Sequence, residues 1–244
     1  MILPNSDLTV IMEDIMKVII INGTSHKGST YHIARLLAEK ISGDIKEFFL
    51  PRDFGEFCVG CTKCFVEGEN KCPHYEKLKP ITDSLDEADV IILASPVYVF
   101  HATGAMKAFL DHCGYRWMSH RPEAVMFRKQ GVAISTAAGA GTKSTLKDMM
   151  DSLFYWGVAK RYQYGVAVAA TDWNGVSEKK MNAIEKTTSK IAGKIQRNSN
   201  RVKPGIKTKG FFFIMHLMQK NGFNPIDAEH WKTKGWTEKK RPWK

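Results

Sequence analysis

Short apolar runs that alternate with amphipathic stretches leave this chain few architectures to choose from. Lys17–Asn22 is β-branched, Asp44–Leu50 reads as a second strand, and Val90–Ala94, Gly131–Ser135 and Tyr164–Ala169 repeat the theme. Between them, Thr30–Ile41, Glu76–Ala88 and Thr103–Asp111 carry apolar residues at helical spacing. Five strands separated by helices need right-handed crossovers and give a parallel sheet covered on both faces. Ligands of such sheets bind outside the carboxyl ends of the strands, so the loops that follow the strands are where chemistry is expected.

The loop after the first strand is Gly23-Thr24-Ser25-His26-Lys27-Gly28-Ser29-Thr30. Backbone N–H groups at a helix start, joined by hydroxyls, receive a phosphate without a dedicated cation. Its spacing approaches the nucleotide triphosphate loop G-x4-G-K-[ST], but Ser29 stands where the lysine would be, which disfavours an NTPase. Gly139-Ala140-Gly141 does not complete a dinucleotide fingerprint, because Ser144 takes the last glycine's place. A mononucleotide is the better expectation. The third strand leads into Ser95-Pro96-Val97-Tyr98-Val99-Phe100-His101, which offers aromatic walls, and the fourth into Thr136-Ala137-Ala138-Gly139-Ala140-Gly141-Thr142, whose small residues let amides approach a planar ligand.

A second feature interrupts this pattern. Four of the five cysteines, Cys58, Cys61, Cys64 and Cys72, lie within one window spaced C-x2-C-x2-C-x7-C, with Pro73 after the last. The short gaps let thiolates converge on one small object, which suits an iron-sulfur cubane better than a zinc held by two separated pairs. Free or redox-active thiols and zinc remain open on the residues alone. Cys113 reads as a packed helix-end residue, and His112 and His120 as structural or substrate-lining groups. Clustered cysteines in odd number, with no secretory apolar stretch, argue for a reducing compartment, by default the cytoplasm.

Taken in order, Gly23–Thr30, Ala88–Tyr98 and Gly104–Asp111 resemble the NADPH-dependent FMN reductase family, and with the cysteine insert the chain resembles most its iron-sulfur flavoprotein branch. The resemblance runs from about Met16 to Ala169. It implies a flavodoxin-like α/β fold, a doubly wound five-stranded parallel sheet with a cysteine-rich insert and a C-terminal extension. It implies FMN phosphate held by Thr24, His26, Ser29 and Thr30, with the isoalloxazine near Ser95, Pro96, Val97 and Tyr98 and near Thr136, Ala137, Gly139 and Gly141. The loop departs from the family's G-S-P-R-K-x-G-N-T form. Ser25 replaces the proline, His26 the arginine, and one residue is missing, so phosphate binding through His26 is expected to depend on pH.

The implied function is that of an FMN-dependent oxidoreductase or electron-transfer flavoprotein in which a [4Fe-4S] cluster on the four cysteines exchanges electrons with FMN. The donor would be NAD(P)H or a ferredoxin-type carrier, and a homodimer would cover the ring. No catalytic side chain is assigned, because the cofactor carries the chemistry. The alternatives are an NAD(P)H-dependent FMN or quinone reductase without a cluster, and a non-enzymatic flavodoxin-like thiol sensor.

The formal charge of +11 is uneven, since Arg201–Lys244 holds eleven Lys and Arg against Asp227, Glu229 and Glu238. Scattered among aromatics without a recognised module, these cations do not argue for nucleic-acid binding. Phe211–Met218 is apolar but far short of the roughly 20 residues of a membrane span; with flanking Lys207, Lys209 and Lys220 an anionic membrane surface is one reading, and burial against the domain or a second subunit is the expectation. The resulting division is residues 1–15 as a loose leader, with Met16 an alternative start, 16–200 as the FMN-binding domain with its insert at 51–75, and 201–244 as a basic, aromatic docking arm.

Overall fold

The computed structural model describes residues 15–41, 43–199 and 201–244. The expectations for residues 1–14 lie outside these. The chain forms β1 (Met16–Asn22), α1 (Ser29–Ile41), β2 (Gly43–Phe49), α2 (Lys63–Val66), α3 (Tyr75–Glu87), β3 (Val90–Pro96), α4 (Gly104–His112), β4 (Gln130–Ala137), α5 (Thr142–Tyr155), β5 (Lys160–Ala167), α6 (Glu178–Arg197), α7 (Ile206–Lys220) and α8 (Pro225–Thr233). All strand pairs are parallel and the order is β2-β1-β3-β4-β5.

That order is the doubly wound arrangement whose switch point falls between β1 and β3. Burial agrees with the inner position of β3. Val90, Ile91, Ile92 and Leu93 are fully enclosed, as a strand covered on both faces must be. Alternate residues feed two cores. Ile19, Ile21, Ile91, Leu93 and Ala133 meet α3, α4 and α5. Val18, Ile20, Val90, Ile92, Val132 and Ile134 meet α1 and α6. The α1 face is set by Ile33, Ala34, Leu37, Ala38 and Ile41, which recur at helical spacing and are buried. Each such Leu or Ile contributes about 1.5–3 kcal/mol relative to exposure.

The fifth strand differs from expectation. It begins at Lys160, four residues before Tyr164, and its register runs from Gln130↔Lys160 to Ala137↔Ala167. At a sheet edge the polar start Lys-Arg-Tyr-Gln is tolerated, and this masked the strand from an apolar criterion.

A third, smaller core joins α7 and α8 to the sheet domain. Phe212, Met215, Trp231 and Trp236 pack on Met118 and Phe127. Phe212 and Trp231 lie with ring centroids 4.6 Å apart. Asn224 caps α8, accepting from Ile226 N at 3.1 Å, with Pro225 at the first helical position. The C-terminal segment is thus docked on its own chain. Among the described residues, no helix is long and apolar enough to cross a membrane.

Candidate functional site

At the carboxyl end of the sheet, the β1–α1 loop is held from beneath. Gly23 N donates to Ala94 O at 2.7 Å, and the Thr103 hydroxyl donates to Gly23 O at 2.6 Å while accepting from Met106 N. A Cβ at Gly23 would meet Thr103 Oγ1 at 3.0 Å and Ala94 O at 3.2 Å, so the close approach suits glycine. The first backbone bond of α1 runs from His32 N to Gly28 O at 3.1 Å. The N–H groups of Ser29 and Thr30 precede it and have no backbone partner among the described residues, which is the helix end that attracts anions.

Here the chain encloses a cavity of about 190 Å³ lined by Thr24, His26, Gly28, Ser29, Thr30, Pro96, Val97, Tyr98, Thr136, Ala137 and Ala138, with Val168, Ala170 and Thr171 from the segment after β5. The three loops are tied together. Thr30 Oγ1 lies 2.5 Å from Thr136 Oγ1, both residues buried, and Val97 N donates to Thr136 O at 2.9 Å. Among the described residues no lysine or arginine lines the cavity: Lys27 Nζ lies 5.2 Å from the Tyr31 ring centroid, and the exposed His26 is the basic side chain on the lining.

Nine of the twelve expected cofactor contacts therefore line one cavity. Ser95, Gly139 and Gly141 do not. The Ser95 hydroxyl is occupied, donating to Pro96 O and accepting from Thr103 N at 3.0 Å. Gly141 has φ +98°, and a Cβ there would come within 2.7 Å of Val97 Cγ1, so its role in this structure is close packing of one loop on another. The aromatic wall is half realised. Tyr98 and Phe100 are both exposed, on a turn closed by Tyr98–His101 bonds of 3.0 Å in which Val99 and Phe100 take left-handed φ of 48° and 63°.

One polar group here was not foreseen. Asn22, buried at the end of β1, has neither its amide nitrogen nor its oxygen partnered. It stands on the same sheet face as Thr136, beneath the start of α1. An unpaired buried amide is costly and calls for a partner. Asn22 is not among the residues that line the cavity, and the unbonded helix N–H groups, the hydroxyls and one histidine form a donor-rich cradle that fits the phosphate monoester of FMN.

The cysteine insert forms a separate pocket. Thr62 and Gly60, with φ of 57° and 65°, turn the loop so that Cys58, Cys61, Cys64 and Cys72 line a single cavity of about 70 Å³ with Phe65, His74, Asp111 and His112. Burial, and then the neighbouring thiols of Cys72, Cys58 and Cys61, push the Cys64 thiol up to about 11. All four cysteines face the same pocket. The donor set fits a thiolate-bound metal cluster.

His112, read from sequence as structural or substrate-lining, stands at this pocket. Its Nδ1 donates to Ala108 O at 2.7 Å, leaving Nε2 to accept from His74 Nδ1 at 2.9 Å, and ligand atoms of Cys72, His74 and His112 lie within 4.8 Å of one another. Burial lowers the His112 pKa from its ordinary value, consistent with a neutral ring. His120 is structural, 2.8 Å from Asp227. Cys113 is buried at the end of α4, as its position suggested.

The insert is braced by the C-terminal segment. Arg121, buried, donates to Asp227 Oδ1, to Cys64 O and, at 3.4 Å, to Glu69 Oε2. Asn224 Nδ2 donates to Phe65 O at 2.9 Å.

A doubly wound sheet with a phosphate cradle at its switch point defines a flavodoxin-like nucleotide-binding protein. The family profile described as NADPH-dependent FMN reductase matches residues 16–172, and the chain belongs to that family, as an FMN-dependent oxidoreductase. It is 27% identical over 194 residues to a protein of Archaeoglobus fulgidus named iron-sulfur flavoprotein, covering 73% of this chain and 79% of that one. In fold it is similar to an azoreductase of Bacillus anthracis, with a TM-score of 0.58 at 11% identity over 73% of this chain and 99% of the other. An FMN-dependent NADH-azoreductase of the same species, solved in complex with FMN, gives 0.54 at 13% identity over 72% and 99%.

Proposed function

We propose that the protein is an iron-sulfur flavoprotein that moves electrons between a nicotinamide or ferredoxin-type donor and an acceptor by way of FMN and a [4Fe-4S] cluster. When bound, FMN supplies hydride and single-electron chemistry, and the cluster supplies single-electron transfer. The observation that carries the reading is the convergence of Cys58, Cys61, Cys64 and Cys72 on one cavity.

Ser29 and Thr30 would bind the FMN phosphate through backbone N–H groups, with the hydroxyls of Thr24 and Thr30 and the ring of His26 completing the cradle. The Thr30–Thr136 bond fixes the start of α1 against the end of β4. Pro96, Val97 and Tyr98 would orient the isoalloxazine, with Ala137 at its edge. Ser95 and Gly141 hold those loops in place. Exposed Tyr98, Val99 and Phe100 at the cavity mouth suit coverage of the ring by a second copy of the chain, a homodimer. Residues 16–200 would form the cofactor-binding unit of a cytoplasmic enzyme, with residues 201–244 bracing the insert.

The test is anaerobic purification followed by absorbance and by iron, sulfide and FMN content per chain. Stoichiometric FMN with about four iron and four sulfide is expected. FMN without iron would replace the reading by a cluster-free NAD(P)H-dependent reductase, and absence of both by a thiol-bearing protein without flavin chemistry.

A further inference from the structure

Helix α7 has two apolar faces, and only one of them is used. At about 100° per residue, Thr208, Phe212, Met215, His216 and Gln219 fall on one side, and all are buried. Ile206, Phe213, Ile214 and Leu217 fall on the opposite side. They are 90%, 54%, 54% and 47% exposed, and Phe223, in the turn after the helix, is 85% exposed. Single exposed apolar residues need no explanation, but a row aligned along one helix does.

The surroundings of this row select its occupant. Lys209 and Lys220 flank it on one side and Lys207 on the other. Residues 201–244 carry eight of the chain's eleven net positive charges. Of their three acids, Asp227 is withdrawn into the ion pair with Arg121. A second copy meeting this face through two-fold symmetry would bring lysine against lysine, which the charge disfavours. A surface of negative charge over an apolar interior matches both the lysine rim and the phenylalanine and leucine row. At 15 residues α7 is about 22 Å long, too short to span a bilayer, and its inner face is anchored to the sheet domain. We infer that α7 docks this protein onto anionic lipid membranes, lying in the interface with Phe213 and Leu217 inserted and its lysines at the headgroups.

The experiment is co-sedimentation of the full-length, cofactor-loaded protein with vesicles of phosphatidylcholine alone and of phosphatidylcholine with about one third phosphatidylglycerol, at low and at physiological salt. Binding to the anionic vesicles is expected, at least about tenfold stronger than to neutral ones and weakening as salt rises. The double variant Phe213→Glu, Leu217→Glu should lose more than about tenfold in affinity, because each side chain would otherwise enter the interface. Both residues are half exposed, so the fold should persist, checked by unchanged circular dichroism and FMN content. Lys207→Gln with Lys209→Gln should reduce the preference for anionic over neutral vesicles.

Absence of vesicle binding would overturn the inference, as would equal binding by the Glu variant. A dimer seen by light scattering that the Glu variant dissociates, without vesicle binding, would reassign the face to a second copy. Binding to single-stranded DNA in preference to vesicles would reassign it to nucleic acid.

Discussion

Replacing Thr30 with Val removes one hydroxyl from the phosphate cradle while keeping the shape of the side chain. In the structure that hydroxyl is buried and bonded to Thr136 Oγ1 at 2.5 Å, so its loss costs the free protein about 1 kcal/mol, the typical net value of a neutral hydrogen bond. In the bound protein the hydroxyl is expected to accept from Thr136, so that this contribution of about 1 kcal/mol cancels between free and bound states, and to donate to a phosphate carrying charge, where hydrogen bonds are worth about 1.5–3 kcal/mol, or about 10- to 150-fold in affinity. Titration of apo-protein by flavin fluorescence quenching measures this directly, with riboflavin as the control because it lacks the phosphate. Thr30→Val should weaken FMN by that factor and leave riboflavin within about twofold. Thr136→Val should produce a smaller loss, since it removes only the partner that orients Thr30, and the double variant should lose less than the two single losses summed. FMN affinity within about twofold of the parent in Thr30→Val would refute the assignment of the β1–α1 loop as the phosphate site.

Gly141→Ala should destabilise the protein by about 1–3 kcal/mol, because its backbone is left-handed and the new Cβ meets Val97; a urea midpoint records it. Asp227→Ala leaves Arg121 buried without its main partner and should cost about 3–5 kcal/mol, with iron lost from the insert at lower urea than the sheet unfolds, read by absorbance alongside circular dichroism. Stability should fall as pH drops below the ordinary histidine range. Burial lowers the folded-state pKa of His230, so the unfolded chain takes up the proton first, and His230→Gln should flatten the slope of urea midpoint against pH between about 5.5 and 7.5.

What the sequence made legible, and what it did not, divides by how far apart the interacting groups lie along the chain. The strands β1 and β3 and the loops after them declare themselves because a parallel sheet buries both faces, so Val90–Ala94 must be continuously apolar and the turn after β1 must carry glycines. The four cysteines are visible as spacing. The Thr30–Thr136 bond joins residues 106 apart, and the histidine pair at the cysteine pocket joins residues 38 apart. No local pattern encodes either, since each is created by the crossover connections of the sheet. The C-terminal run Phe211–Met218 shows a further limit. Its composition is uniform, yet Phe212 and Met215 are core while Phe213 and Leu217 are surface. Helical phase separates the two sets, but only docking on Met118 and Phe127 decides which set is inside. That choice has a consequence for the insert. The docking that buries Trp231 also sets Asp227 against Arg121, and Arg121 holds the carbonyl of Cys64. The cysteine pocket is therefore shaped partly by residues more than a hundred positions downstream, so removal of the C-terminal segment should disturb the pocket before it disturbs the sheet.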